Sequence, residues 1–299
     1  MLLHELEEKK LVKFPSWMAD NTHYLTIMGS VSYGVSTDTS DMDVYGWAIP
    51  PKEIVFPHLA GYVRNFGPEP PGFEQFQEHH IMDESGMGGK GREYDITVYN
   101  IVKYFDLCLV CTPNILASMF VRQSCILHCS RIGNMVRENR HLFLCKMIWP
   151  KFKGYAFSQL AKMQSKNPTG KRAKTVEAHG YDTKYAYNIV RLLSEAEQIL
   201  ATGDLDLQEK GRREHMKAIR RGDVSEQEIR EWASAKELEL EKLYNTSTLP
   251  YEPRRNEIKQ LLLNCLEDHY GNLDKCVINP DGPTLALKEI RGVLERYNL

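Results

Sequence analysis

No stretch of this 299-residue chain reads as long and apolar enough to span a membrane. Its opening, Met1 to Lys10, carries Glu5, Glu7 and Glu8 where a secretory leader would need an unbroken apolar core. Charge of one sign is also missing: 38 Lys and Arg face 40 Asp and Glu, for a formal net charge of -2. That balance excludes a globally basic nucleic-acid binder, so any polynucleotide must meet a local basic patch. There is no internal repeat, no low-complexity tract, and no run interleaving aromatics with cations in the manner of a single-strand-binding face. Cysteine occurs seven times. An odd count without a leader predicts free thiols in a reducing cytoplasm, not a disulfide framework. Cys108-x-x-Cys111 followed by Cys125 and Cys129 has the outline of a four-cysteine zinc site. The run Phe105 to Cys111 is apolar and lacks the turn residues of a zinc knuckle, so these thiols read better as small buried hydrophobes.

What is present is ordinary for a globular chain, 42% hydrophobic and 26% charged, and long enough for a proper core in two units. Residues 1 to about 13 form an amphipathic helix in this reading, with Leu2, Leu3, Leu6 and Leu11 on one side. Apolar runs at His23 to Met28 and from Asp43 to Ile49 are strands, the second stopped by Pro50-Pro51. Pro50 to Gly72 is a Pro- and Gly-rich loop with one helical turn, and Phe73 to Ile81 a further strand. Arg92 to Thr97 is a short strand that runs into a helix beginning at Val98. Pro113-Asn114 starts a short helix, and Ser130 to Leu144 is a longer one. After Trp149-Pro150 strand signals thin out. Helices are expected at about 151 to 166, 173 to 201, 208 to 221, 225 to 244 and 254 to 269, then a loop from Asp274 to Pro283 and a last helix ending near Tyr297. The chain thus divides at 148/149, a mixed α/β unit (1-148) followed by a helical one (149-299).

One stretch carries chemistry, Met28 to Gly46. The first strand stops at Gly29-Ser30, where exposed backbone N–H groups and a hydroxyl can hold phosphate oxygens if a short helix starts at Ser30. Asp41 and Asp43 stand two apart at the next strand's start, so on an extended backbone they project from one face and suit one hard cation. A phosphate cradle beside metal carboxylates is the logic of phosphoryl transfer. Asp38 reads as a turn residue, and Tyr33 and Gly34 as shaping the loop.

The residues Gly29-Ser30, Tyr33-Gly34, Thr37, Ser40-Asp41, Asp43 and Gly46 resemble the signature of the DNA polymerase beta-like nucleotidyltransferase superfamily. The likeness is closest to its RNA-repair-pathway polymerase beta-like branch of bacteria and phages. It extends through Asp95 to Tyr99, Lys103 to Phe105, Thr112 to Leu116, and Tyr181-Asp182 with Lys184 and Arg191 to Leu193. The resemblance implies a small mixed sheet flanked by helices and followed by a helical domain that closes the active-site cleft. It also implies NMP transfer from an NTP to a hydroxyl acceptor, an RNA or tRNA end, with pyrophosphate released and Mg²⁺ or Mn²⁺ as cofactor. Asp95 is then the third metal carboxylate. Glu93 is its competitor, because it shares a strand face with Asp95 by period two. Gly29 and Ser30 would meet the triphosphate. Lys184, Tyr187 and Arg191 fall on one helical side, and the resemblance favours Lys184 and Arg191 as nucleotide ligands over a solvated face.

Other readings stay open at this stage. The acceptor could be a protein or small molecule, or the chain a non-catalytic binder of nucleotide or RNA. The Gly-rich segment 86-92 is either a hairpin connection or a phosphate loop. The basic runs Lys151 to Lys153, Lys166 to Lys174, and Arg212-Arg213 with Lys217, Arg220 and Arg221 are polynucleotide contacts or solvated surface.

Overall fold

The computed structural model describes residues 1–36, 40–60, 65, 72–163, 171–271, 290, 294 and 296. Thr37 and Asp38 of the motif lie outside the described residues, as do the Pro-Gly run at 67–71, most of the basic run at 166–170, the loop expected at 274–283 and most of the final helix. The elements begin with α1 (Leu2–Glu8), β1 (Thr22–Ile27), α2 (Gly29–Ser32), β2 (Met42–Ala48), α3 (Lys52–Val55) and β3 (Gln75–Asp83). A single irregular turn, α4 (Gly86–Gly89), leads to β4 (Arg92–Asn100), α5 (Ile101–Leu109) and α6 (Pro113–Ser118). Then come β5 (Ile126–Cys129), α7 (Arg131–Glu138), α8 (Ile148–Lys162), α9 (Lys171–His179) and α10 (Thr183–Thr202). The described helices close with α11 (Lys210–Arg221), α12 (Glu226–Thr246) and α13 (Arg255–Tyr270).

Five strands make one mixed sheet in the order β3-β4-β2-β1-β5. The β1/β2, β1/β5 and β3/β4 ladders are antiparallel, and β2 runs parallel to β4. Side chains alternate across the sheet, and the alternation sorts two cores. On one face Leu25, Val44, Ala48, Ile96 and Val98 pack against Leu3 and Leu6 of α1. On the other, Tyr24 and Trp47 belong to a cluster continuous with Tyr104, Phe105 and the apolar residues of α10. This second face also carries Asp43 and Asp95, because each is an odd step from its buried neighbours Val44 and Ile96. The helix α10 is apolar on most of its circumference, with Ile189, Val190, Leu192, Leu193, Ala196 and Ile199 all buried, since α8, α11 and α12 surround it.

Local physics moved several expected boundaries. The helix after β4 starts at Ile101, not Val98: Val98 is a fully buried strand residue, and Asn100 caps the helix by accepting from the Val102 N–H. Pro150, expected to precede a helix, sits in the first turn of α8, where backbone N–H groups have no intrahelical acceptor to lose. The single helix expected over 173–201 is two. Gly180 takes φ +81°, and Asp182 then caps α10 by accepting from Lys184 N and Tyr185 N at 2.9 and 3.3 Å. The helix expected over 130–144 ends as α7 at Glu138 and continues as a 3₁₀ turn, Arg140–Phe143. β5 was not foreseen, being four residues with no clean alternation. Cys108, Cys111 and Cys125 are buried in the core, and Cys111 Sγ lies 3.7 Å from Cys145 Sγ.

Candidate active site

A cleft of about 450 Å³ opens between the second face of the sheet and α10. Asp41, Asp43, Asp95, Gly29, Ser30, Lys184 and Arg191 all line it. Asp43 and Asp95 are register partners on the parallel β2/β4 ladder, so two carboxylates more than 50 residues apart in sequence become neighbours. Gly29, at the mouth of α2, holds φ +62°, and a Cβ built on it would lie 1.8 Å from Asp43 Oδ2. The carboxylate therefore occupies the space that a side chain at position 29 would need. Burial pushes the Asp43 carboxyl above its ordinary range; Lys184 opposes this, and Asp95 and Asp41 add to it by like-charge repulsion.

The opposite wall is the start of α10. Lys184 is exposed there, whereas Arg191 is 2% exposed and engaged on every side. Arg191 pairs with the fully buried Glu195 at 3.1 Å. It donates to Tyr33 Oη at 3.1 Å, Asn114 Oδ1 at 3.0 Å and Asn188 Oδ1 at 3.2 Å, and its guanidinium lies 4.7 Å from the Tyr33 ring centre. Arg191 thus joins the α2 turn, α6 and α10 at the cleft floor.

The rim beyond Asp95 holds a group the sequence reading passed over. His80 takes φ +58° at an irregularity in the β3/β4 register between Glu78 and Ile81. Its backbone N–H donates to Asp95 Oδ1 at 2.8 Å, and its ring donates from Nδ1 to Glu93 Oε1 at 2.5 Å, a bond that raises the His80 pKa. His79 Nδ1 lies 3.4 Å from Asp95 Oδ1. His80, Glu93 and Asp95 offer ligand atoms within 4.8 Å of one another, the one such group among the described residues; Asp41 and Asp43 stand outside that spacing. Glu93 itself is not part of the cleft wall.

The Gly-rich segment is the β3/β4 hairpin connection. Met87, Gly88, Gly89 and Gly91 all have positive φ, and Asp83 at its foot pairs with Lys9 at 2.7 Å on the α1 side of the sheet. None of its residues lines the cleft. Tyr45, Asn114 and Arg220 do line it and went unassigned to the site from sequence. The Pro113-Asn114 step looked like any helix start, and Arg220 like one more surface cation.

The sequence profile of the RNA repair pathway DNA polymerase beta family (RlaP) matches residues 3–265. The chain belongs to that family. Family and sheet together indicate a polymerase beta-like nucleotidyltransferase. No curated protein matched the chain. Among solved structures, a nucleotidyltransferase-like protein from Exiguobacterium sibiricum 255-15 is similar over 88% of this chain and 72% of its own, at 9% identity and a TM-score of 0.29, too loose to position residues. As an RNA repair pathway polymerase beta family member, the chain keeps both motif acids and Asp95 in one cleft. Among its described residues no helix is long and apolar enough to cross a membrane.

Proposed function

We propose that the chain is a divalent-cation-dependent nucleotidyltransferase that transfers NMP from an NTP to a hydroxyl at an RNA or tRNA end, releasing pyrophosphate. The observation that carries this reading is the side-by-side pairing of Asp43 with Asp95, with Asp41 on the same cleft and Gly29 lacking the side chain that would displace Asp43. The donor set fits a hard cation: three carboxylates share one cleft, and burial with mutual repulsion raises Asp43, a condition that divalent charge relieves. Asp41 and Asp43 would hold Mg²⁺ or Mn²⁺ on the nucleotide side, and Asp95 would hold a second ion. Such ions, when bound, polarise phosphoryl oxygens and neutralise the charge that develops on them.

The remaining work belongs to the chain itself. Gly29 lets the backbone approach the phosphates, Ser30 offers a hydroxyl, and Lys184 supplies positive charge from the facing helix. Asp95, on β4 beside Asp43, is the group that orients the incoming hydroxyl and accepts its proton. Arg191, held by Glu195, Tyr33 and Asn114, keeps α10 in register with the motif turn. In this reading residues 1–148 form the catalytic unit, and 149–299 the helical unit whose α10 closes the cleft. The six described cysteines are all free, which suits the cytoplasm.

The test is incubation with Mg²⁺, each labelled NTP in turn and mixed RNA, compared with Asp41→Ala/Asp43→Ala. Label in RNA that the variant fails to incorporate supports the reading. Label in protein or a small molecule keeps the chemistry and changes the acceptor. Incorporation indistinguishable from the variant across all four NTPs makes the chain a non-catalytic binder.

A further inference from the structure

The cations of the basic run at 212–221 do not form one patch. Arg212 is buried and donates to the Asp206 carbonyl and to Gln198 Oε1. Arg213 and Lys217 both pair with Glu214, and Arg221 with Asp223. Arg220 alone of this run lines the cleft. Its Nη1 donates to the Val35 carbonyl at 2.6 Å, and its guanidinium lies 5.5 Å from the ring centre of Tyr187.

The charge inventory of the cleft decides what Arg220 is for. Its walls hold the acids Asp41, Asp43, Asp95 and Asp182 and the cations Lys184, Arg191 and Arg220. Arg191 brings no usable charge to a ligand, because Glu195 neutralises it and three oxygens take up its donors. Among the described residues no carboxylate pairs with Lys184 or Arg220. Arg220 is also held in place: one N–H is fixed on Val35 and the guanidinium plane on Tyr187, which leaves the rest of its fork for the cleft. Val35 follows the motif turn, and Gln208, two residues before α11, donates to the Ser32 carbonyl of that turn at 3.1 Å. The α11 segment therefore grips the turn that starts with Gly29-Ser30.

We propose that Arg220, with Lys184, binds the polyphosphate tail of the nucleotide, and that Arg191 does not. This rests on the nucleotidyltransferase reading above. Arg220→Gln keeps an amide donor for Val35 and removes the charge. Affinity is measured by calorimetry for the four NTPs, the matching NMPs and inorganic triphosphate, each with Mg²⁺, alongside the melting temperature. Loss of a charge-assisted hydrogen bond predicts roughly 10- to 100-fold weaker binding of NTP and triphosphate, with NMP within about twofold and melting unchanged. Arg191→Gln is expected to lower the melting temperature instead. The inference is overturned if Arg220→Gln binds triphosphate as tightly as the wild type. It is equally overturned if NTP and NMP weaken together with a fall in melting, since Arg220 would then only brace Val35 against Tyr187. A wild type that binds no NTP and no triphosphate removes the nucleotidyltransferase reading first, and this inference with it.

Discussion

Replacing Gly29 by alanine tests the packing on which the acid pair depends. The new Cβ would stand 1.8 Å from Asp43 Oδ2 and 2.8 Å from its Cγ, on a backbone with φ +62°. The left-handed conformation alone costs a non-glycine residue about 1–2 kcal/mol. An overlap of that depth cannot be absorbed, so the carboxylate must rotate away, at a further ~1–3 kcal/mol of overpacking. A melting temperature lower by roughly 5–10 °C follows. Displacing a reacting group by about 1 Å costs on the order of 100-fold in rate, so nucleotide transfer should fall at least that far. The decisive arm is a double-mutant cycle read by urea unfolding. In an Asp43→Ala background the obstructing carboxylate is gone, and Gly29→Ala should cost only the conformational ~1–2 kcal/mol, which leaves a coupling energy of about 1–3 kcal/mol. Additive effects would mean that Asp43 does not fill the space beside Gly29, and the argument for the cradle would fail. Full activity in a destabilised Gly29→Ala protein would show that Asp43 sits away from the reacting centre.

The remaining predictions concern the rim, the floor and the far side of the sheet. Asp95→Asn should lower NMP transfer at least ~100-fold, because a metal-holding carboxylate contributes several kcal/mol to the barrier, while Glu93→Gln, off the cleft wall, stays within about tenfold; the reverse order makes Glu93 the third carboxylate. Glu195→Gln leaves the buried Arg191 charge without its partner and should destabilise the fold by ~3–5 kcal/mol in urea titration, with Arg191→Met/Glu195→Leu costing less than Glu195→Gln. His23 shares hydrogen bonds with His269 and Ser130 at 2.9 and 2.8 Å, and burial followed by His269 lowers its pKa to about 4. A depressed imidazole binds its proton more readily in the unfolded chain, so stability is full above the unfolded value of ~6.5 and falls as pH drops from there towards about 4. The ceiling of that loss is ~3 kcal/mol, reduced to ~1–2 by the ring's partial exposure. Urea midpoints between pH 7.5 and 5 should decline in the wild type and flatten in His23→Asn; equal slopes would refute the assignment.

The motif turn and its acids are legible in sequence because their chemistry is local. Gly29-Ser30 ends an apolar run, and the two-residue spacing of Asp41 and Asp43 is read from strand geometry alone. The step from Lys184 through Tyr187 to Arg191 is likewise a property of one helix, and all three line the cleft. Asp95 needed family likeness, since nothing in its neighbourhood distinguishes it from Glu93. What separates the two is the β2/β4 register, which pairs Asp95 with Asp43. The His80 group was illegible for a further reason: an irregular strand register and a left-handed residue aim it, and neither leaves a mark in hydrophobic periodicity.

By itself the sequence determined which residue types stand at the turn, where most of the strands and helices lie, and that Asp41 and Asp43 share one strand face. Those properties follow from side-chain chemistry and from the periods of 2 and 3.6, which act over a few residues. Only the tertiary structure decided which cleft cations are buried against a carboxylate and which face the cleft with none, among the described residues, within ion-pair distance. Arg191 and Arg220 are the same residue type on helices; the spacing offers Arg191 a partner one turn on, Glu195, but not the burial of that pair. Folding buries Arg191 against Glu195 and leaves Arg220 over Tyr187 at the cleft wall. Charge in a site is set by what lies within a few ångströms in space, and packing of distant segments supplies that neighbourhood.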